Sequence, residues 1–294
     1  MKKFRFIFIF SLFLTLIFTL SSCNKLGNPT IDYVDENGNN VSETIYVSKD
    51  KEYLKKVLNI LNSIKPQVDK YQITSNIAMS LKCDLYVEGN EKANIEFSYS
   101  SIDSIIYDNK ESIYYNRLQT TNLVKNLNDE NLSLKVLESS TEYIYQDITY
   151  SNDNGQMYTS NSNRLNYNII DRLGVSSLLS LSENYISLYD LYLYDCNKEN
   201  IIFSLNYSKY RGFTGNDRAY IYVSTKTGLI SKVELYYKEF PYTMLKDLYK
   251  DKMMVYENVT NVINKLEFDY YYQSLPDIVL SETEKAEYKS TSAS

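Results

Sequence analysis

Three short fragments of this chain hold residue types that could do covalent chemistry together. Ser48-Lys49-Asp50-Lys51 has the form Ser-x-x-Lys, Ser182-Glu183-Asn184 the form Ser-x-Asn, and Lys226-Thr227-Gly228 the form Lys-Thr-Gly. A lysine one helical turn from a serine can accept the hydroxyl proton and turn the oxygen into a nucleophile. The sequence has no histidine, so serine–histidine and cysteine–histidine systems are excluded. Asp190 and Asp195 are carboxylates of the kind acid–base chemistry uses, although nothing in their spacing separates them from surface charge. Gly212-Phe213-Thr214-Gly215, beside Arg211, lacks the Gly-Lys-Ser or Gly-Lys-Thr of a phosphate loop and reads as a hairpin tip. Cys83 and Cys196, without a histidine, do not make a zinc site, and no metal or cofactor is expected.

The serine fragments resemble, in order, those of the penicillin-binding serine enzymes. In those enzymes the Ser-x-x-Lys helix follows a substantial part of the fold, and a mostly helical domain separates the first two fragments. Here a polar stretch precedes Ser48 and strand-like sequence fills the interval, so Ser48 reads as a helix cap and Lys226 as a turn residue. The expectation is a chain without enzymatic activity.

Cys23 has a clearer assignment. Lys2, Lys3 and Arg5 open the chain, an apolar run extends from Phe6 to Leu20, and Leu20-Ser21-Ser22-Cys23 closes it. There is no Ala-x-Ala cleavage site, and the run is shorter than the ~20 apolar residues of a membrane span. The pattern resembles the lipobox of bacterial lipoprotein precursors. That resemblance implies a signal peptide at residues 1–22, cleavage between Ser22 and Cys23, and a diacylglycerol on Cys23. Two acyl chains hold a protein on a membrane stably where one does not. The expected location is the extracytoplasmic face of the cell membrane, with the membrane itself as a partner.

Composition narrows the partners further. A net charge of -6 disfavours nucleic acid, whose phosphates need concentrated positive charge. The 31 tyrosines suit β-strands and carry an apolar body with a polar tip. They could line an amphiphile groove, form an adhesive exterior, or fill ordinary sheet positions. Cys83 and Cys196 sit in strand-like segments, and outside the cytoplasm they are either a disulfide or two buried thiols.

These residues must be positioned by elements that the periodicity outlines. Residues 23–47 are polar and turn-rich and read as a tether. Within it Asp35-Glu36-Asn37-Gly38-Asn39-Asn40 departs from a calcium loop in its glycine offset and in Tyr46, so it reads as a solvated turn. Tyr53, Leu54, Val57, Leu58, Leu61 and Ile64 mark one face of a helix, with Ser48 or Asp50 as cap and Pro66 as stop. Period-two segments follow at 73–93, 95–106, 112–117, 132–137, 142–149 and 157–160, with Asn154-Gly155 as a hairpin turn. Residues 165–183 turn helical, strands resume at 185–196, 201–207, 219–225 and 229–240, and Pro241 opens a further helix-like stretch. A last strand covers 264–272, and 282–294 reads as a charged tail.

This order, together with Tyr220-Ile221-Tyr222-Val223-Ser224-Thr225-Lys226-Thr227-Gly228-Leu229-Ile230-Ser231-Lys232-Val233-Glu234 and the closing Leu266-Glu267-Phe268-Asp269-Tyr270 with Leu275-Pro276, resembles the periplasmic lipoprotein carriers (LolA-like) and mycobacterial lipid-carrying lipoproteins. The resemblance implies an α+β domain over residues 48–281. It would be a strongly curved antiparallel half-barrel with an N-terminal amphipathic helix and a helical insert in its concave face. It also implies a lipid or other amphiphile in a β-groove. The alternative is a surface adhesion or assembly module acting through a tyrosine-rich exterior on an unidentified protein partner. The side of each strand that carries its tyrosines separates the two.

Overall fold

Period-two alternation from Lys70 onward dominates the architecture of the computed structural model. The structure describes residues 27–87, 93–108, 113–126, 134–145, 148–160, 173–212, 215–236, 254–260, 265–275 and 278–290. A hairpin of β1 (Thr30–Val34) and β2 (Asn40–Thr44) precedes helix α1 (Lys51–Ile64). Four long strands follow: β3 (Lys70–Val87), β4 (Ala93–Asp108), β5 (Ile113–Asn126) and β6 (Leu134–Tyr145). The shorter β7 (Ile148–Asp153) and β8 (Gln156–Ser160) continue the meander. A 3-10 turn (Ser176–Leu179) and a short α2 (Asn184–Leu188) lead into β9 (Tyr192–Cys196), β10 (Asn200–Asn206), α3 (Tyr207–Arg211), β11 (Arg218–Ser224) and β12 (Ile230–Tyr236). Then come β13 (Met254–Thr260), β14 (Lys265–Tyr271), α4 (Glu282–Ala286) and β15 (Lys289–Ser290).

Strands β3 to β15 form one sheet in the order β15-β8-β7-β6-β5-β4-β3-β14-β12-β11-β10-β9, and β13 also pairs with β3. Every pairing is antiparallel except β15 with β8. Its two end strands do not pair with each other, so the sheet is open. Mostly antiparallel strands with a few helices make this an α+β chain.

Helix α1 forms where the three-and-four spacing places it. Asp50 caps it by accepting from the Tyr53 amide at 2.8 Å, while the Ser48 hydroxyl accepts from the Asp50 amide at 3.0 Å. It stops before Pro66, whose ring disfavours helical backbone at the preceding residue. Its buried Leu54, Val57, Leu58, Ile60 and Leu61 join one core with Phe203, Leu205, Ile221, Val233, Leu235, Leu266 and Phe268. The Thr225–Gly228 turn fixes how the helix sits. Gly228 has φ +66°, and a Cβ there would lie 2.2 Å from the Leu61 carbonyl oxygen. Only glycine permits that approach.

β6 runs through the expected gap between 137 and 142, β7 starts separately at Ile148, and β13 adds a strand where none was expected. Four further segments differ from the sequence expectation. The stretch expected as a tether contains the β1–β2 hairpin, and Ile31 and Ile45 on either side of its turn are buried in the main core. The Asp35 carboxylate closes the turn by accepting from the amides of Asn37 at 2.9 Å and Asn39 at 2.8 Å, which the polar composition conceals. The strand expected from Tyr185 starts only at Tyr192, because Tyr189 donates its amide to the Tyr185 carbonyl and makes a helical turn. Of the expected helical insert at 165–183, the described part (173–183) holds a 3-10 turn at 176–179, and residues 165–172 lie outside the described residues. The expected charged tail holds α4, closed by a Ser281–Glu284 capping box, and β15. The helix-like stretch after Pro241 also lies outside the described residues.

Candidate functional site

The inner face of the sheet is apolar and buried at its base. Ile73, Ile77 and Ile105 are fully buried, and Tyr71 stacks on Tyr107 at 4.7 Å. Pairing between β3 and β4 runs without a bulge from Lys70 opposite Asp108 to Leu85 opposite Ala93. Strand alternation therefore places positions Met79, Leu81, Cys83, Leu85 and Val87 on the same face as Ile73 and Ile77. Across from them on β4 are positions Tyr99, Phe97, Ile95 and Ala93. Val124 lies opposite Phe97, Leu134 opposite Val124, and Tyr256 opposite Leu85. This apolar row continues the core face along the strands for ten residues beyond Ile77. On the other face Lys82 is exposed and Ile102 is 56% exposed. Lys82, Glu96 and Lys125 hold register positions there, an alternation of charge suited to solvent.

Tyrosines occupy both faces. Tyr207, Tyr210 and Tyr270 face inward, and their hydroxyls donate to the carbonyls of Leu173, Gly174 and Val175 at 2.7, 3.0 and 2.9 Å. Three hydroxyls thus hold one irregular segment against the core, and burial pushes the Tyr270 phenol well above its ordinary range. On the outer face Tyr194, Tyr220 and Tyr236 form a ladder of edge-on rings with centroids 4.8 and 5.4 Å apart. Tyr194 is 49% and Tyr236 40% exposed. Beside them Lys49 and Arg218 each lie 4.9 Å from the centre of the Tyr192 ring. Lys232 pairs with Glu234 at 2.9 Å and Glu267 at 2.8 Å. This ladder was not anticipated. Its signal was the alternation in Tyr220-Ile221-Tyr222, which puts the tyrosines opposite the buried Ile221.

The three serine-chemistry fragments do not converge. Ser48 precedes the start of α1 and Gly228 packs on Leu61 near its end, an axial separation of at least ~15 Å at 1.5 Å per residue. Cys196 carries a free thiol, which donates to the Ile45 carbonyl at 3.6 Å. Burial, with the charge of Asp195, raises its pKa. Cys83 stands on β3 and Cys196 on β9, and β14, β12, β11 and β10 separate those two strands in the sheet. Among the described residues no group of three or more metal-ligating side chains assembles. No helix among them is long and apolar enough to cross a membrane. Ser22 and Cys23 lie outside the described residues.

No protein-family model and no curated protein matches the chain. Among solved structures a LolA superfamily protein from Nitrosomonas europaea is a weak structural neighbour. It is 11% identical over 75% of this chain and 94% of its own, with a TM-score of 0.17. A score that low carries no argument about ligand or mechanism.

Proposed function

We propose that this chain is a lipid-anchored, extracytoplasmic, non-enzymatic protein that binds a lipid or other amphiphile along the distal inner face of β3–β6 and β13. The observation that carries the reading is the unbroken β3–β4 register, which extends an apolar row past the buried core. In this reading the sheet coils into a half-barrel about α1, as twisted antiparallel sheets do, and the row lines its open end. From Ile77 to Val87 the strand spans about 33 Å at ~3.3 Å per residue. One leaflet's acyl chains need only about 15 Å. A dozen buried methylenes contribute ~10 kcal/mol at ~0.8 each. The entropy of association lowers that figure, leaving affinities up to the micromolar range.

Cys23 would keep the domain beside its ligand source through its acyl chains. A second reading, adhesion through the outer face, is favoured by the exposed Tyr194–Tyr220–Tyr236 ladder. Native mass spectrometry after detergent-free purification tests the first reading. We expect a co-purified amphiphile, or uptake of palmitate when it is offered. Protein that carries none and takes up none would refute it. For the anchor, Cys23→Ala is expected to abolish incorporation of labelled palmitate, and incorporation that persists would overturn the assignment.

A further inference from the structure

Residues 278–290 lie against the sheet as a bound peptide would. Ile278 and Leu280 are buried, and Ile278 packs with Ile106 and Tyr145 in a small cluster separate from the main core. Ile106 follows Ile105, which faces the main core, so this segment occupies the opposite face of the meander. The Tyr145 hydroxyl holds the segment twice, donating to the Ile278 carbonyl at 2.9 Å and accepting from the Leu280 amide at 2.5 Å. Tyr288 meets Tyr150 edge-on at 5.4 Å, and the Lys285 ammonium lies 5.1 Å from the centre of the Tyr145 ring. The segment ends as β15, adding two residues in parallel to the edge strand β8: Lys289 opposite Tyr158 and Ser290 opposite Thr159.

The attachment is small. Besides the Tyr145 and Tyr150 contacts it comprises two buried apolar side chains, one five-residue helix and a two-residue ladder. Its link to β14 passes through Ser274, a non-glycine residue held at φ 55°. Left-handed backbone at such a residue is strained, and strained hinges favour exchange of the element they carry between identical chains. We infer that Ile278–Ser290 is an exchangeable strap, and that its seat on β6–β8 accepts the same segment from a second copy of this chain. Each seat offers the same contacts in either arrangement, and exchange frees Ser274 from its strained conformation.

The β15–β8 register supplies a test in the full chain with its native cysteines replaced by serine. Neighbouring strands lie about 4.8 Å apart, within the Cα separation a disulfide spans. A Tyr158→Cys copy is mixed at high concentration with a Lys289→Cys copy and oxidised, while a chain carrying both substitutions reports closure within one molecule. Exchange predicts a disulfide-linked heterodimer, with a yield that falls roughly fivefold when Ser274→Gly removes the strain. Efficient closure in the double variant with no heterodimer from the mixture would overturn exchange. A double variant that forms the bond neither within one molecule nor between two would overturn the seating of the strap, and the proposal with it.

Discussion

Strands β9–β12 and the distal ends of β3–β6 belong to one sheet but are built differently. β9 to β12 have five to seven residues each, and their inner residues Phe203, Leu205, Ile221, Val233 and Leu235 are fully buried in the core that α1 joins. β3 and β4 have 18 and 16 residues, far more than the five or six that a packed strand typically uses. Beyond Ile77 they keep the apolar alternation while Ser80, Lys82, Asp84, Asn94, Glu96 and Ser98 take alternate positions. The short strands are sufficient for a folded core. The long ones prolong a core-like face past it, and that surplus is where the proposed ligand binds.

Substitutions in the packed half should be the most damaging. Gly228→Val places a branched side chain against the Leu61 carbonyl at positive φ. It should cost several kcal/mol, above the ~4 that marks exceptional substitutions, and thermal denaturation should find little folded protein. Phe268→Ala, at a fully buried position, should cost about 3–5 kcal/mol, visible as a lower urea midpoint. Tyr270→Phe removes one of two donors to the Val175 carbonyl, which keeps the Leu178 amide, and should cost about 0.5–1.5 kcal/mol by the same measurement.

The distal strands should respond in the opposite way. Leu81→Ser with Leu85→Ser is expected to leave the urea midpoint within ~1 kcal/mol of the parent, since global stability resides in the packed half. The same pair should weaken amphiphile binding at least about tenfold, through lost apolar burial. Large loss of stability without loss of binding would invert the comparison.

The smallest effect lies at the β1–β2 turn. The Asn39 and Asn37 amides hold the exposed Asp35 carboxyl below its ordinary 3.8. A depressed folded pKa means the contribution is present above the unfolded value and is lost as pH falls through the folded one. The protection factor of the Asn39 amide, its exchange rate relative to the intrinsic rate at the same pH, should therefore fall below about pH 4 while the main-core amides stay protected.

Legibility followed burial. The spacing of Leu54, Val57, Leu58 and Leu61 was enough to locate α1, because an amphipathic stripe is a long signal. The Thr225–Gly228 turn was also visible, but its role as the seat of the helix depends on a tertiary approach that no local pattern encodes. The β1–β2 hairpin escaped notice because Ile31 and Ile45 are two apolar residues in a polar stretch. Tyr185 and Tyr189 fit a strand pattern and a helical turn equally well, and contacts decided between them. Of the candidate site, the alternation from Met79 to Val87 was readable. Its continuity with the buried face emerged only from the β3–β4 register.

The central claim is that the distal inner face of the long strands holds an amphiphile. A photoactivatable fatty acid, cross-linked to the full chain and mapped by peptide mass spectrometry, tests it most directly. Labels should fall within residues 79–87, 93–99 and 254–256. Labelling confined to the outer ladder at Tyr194, Tyr220 and Tyr236, or no labelling of folded protein, would contradict it.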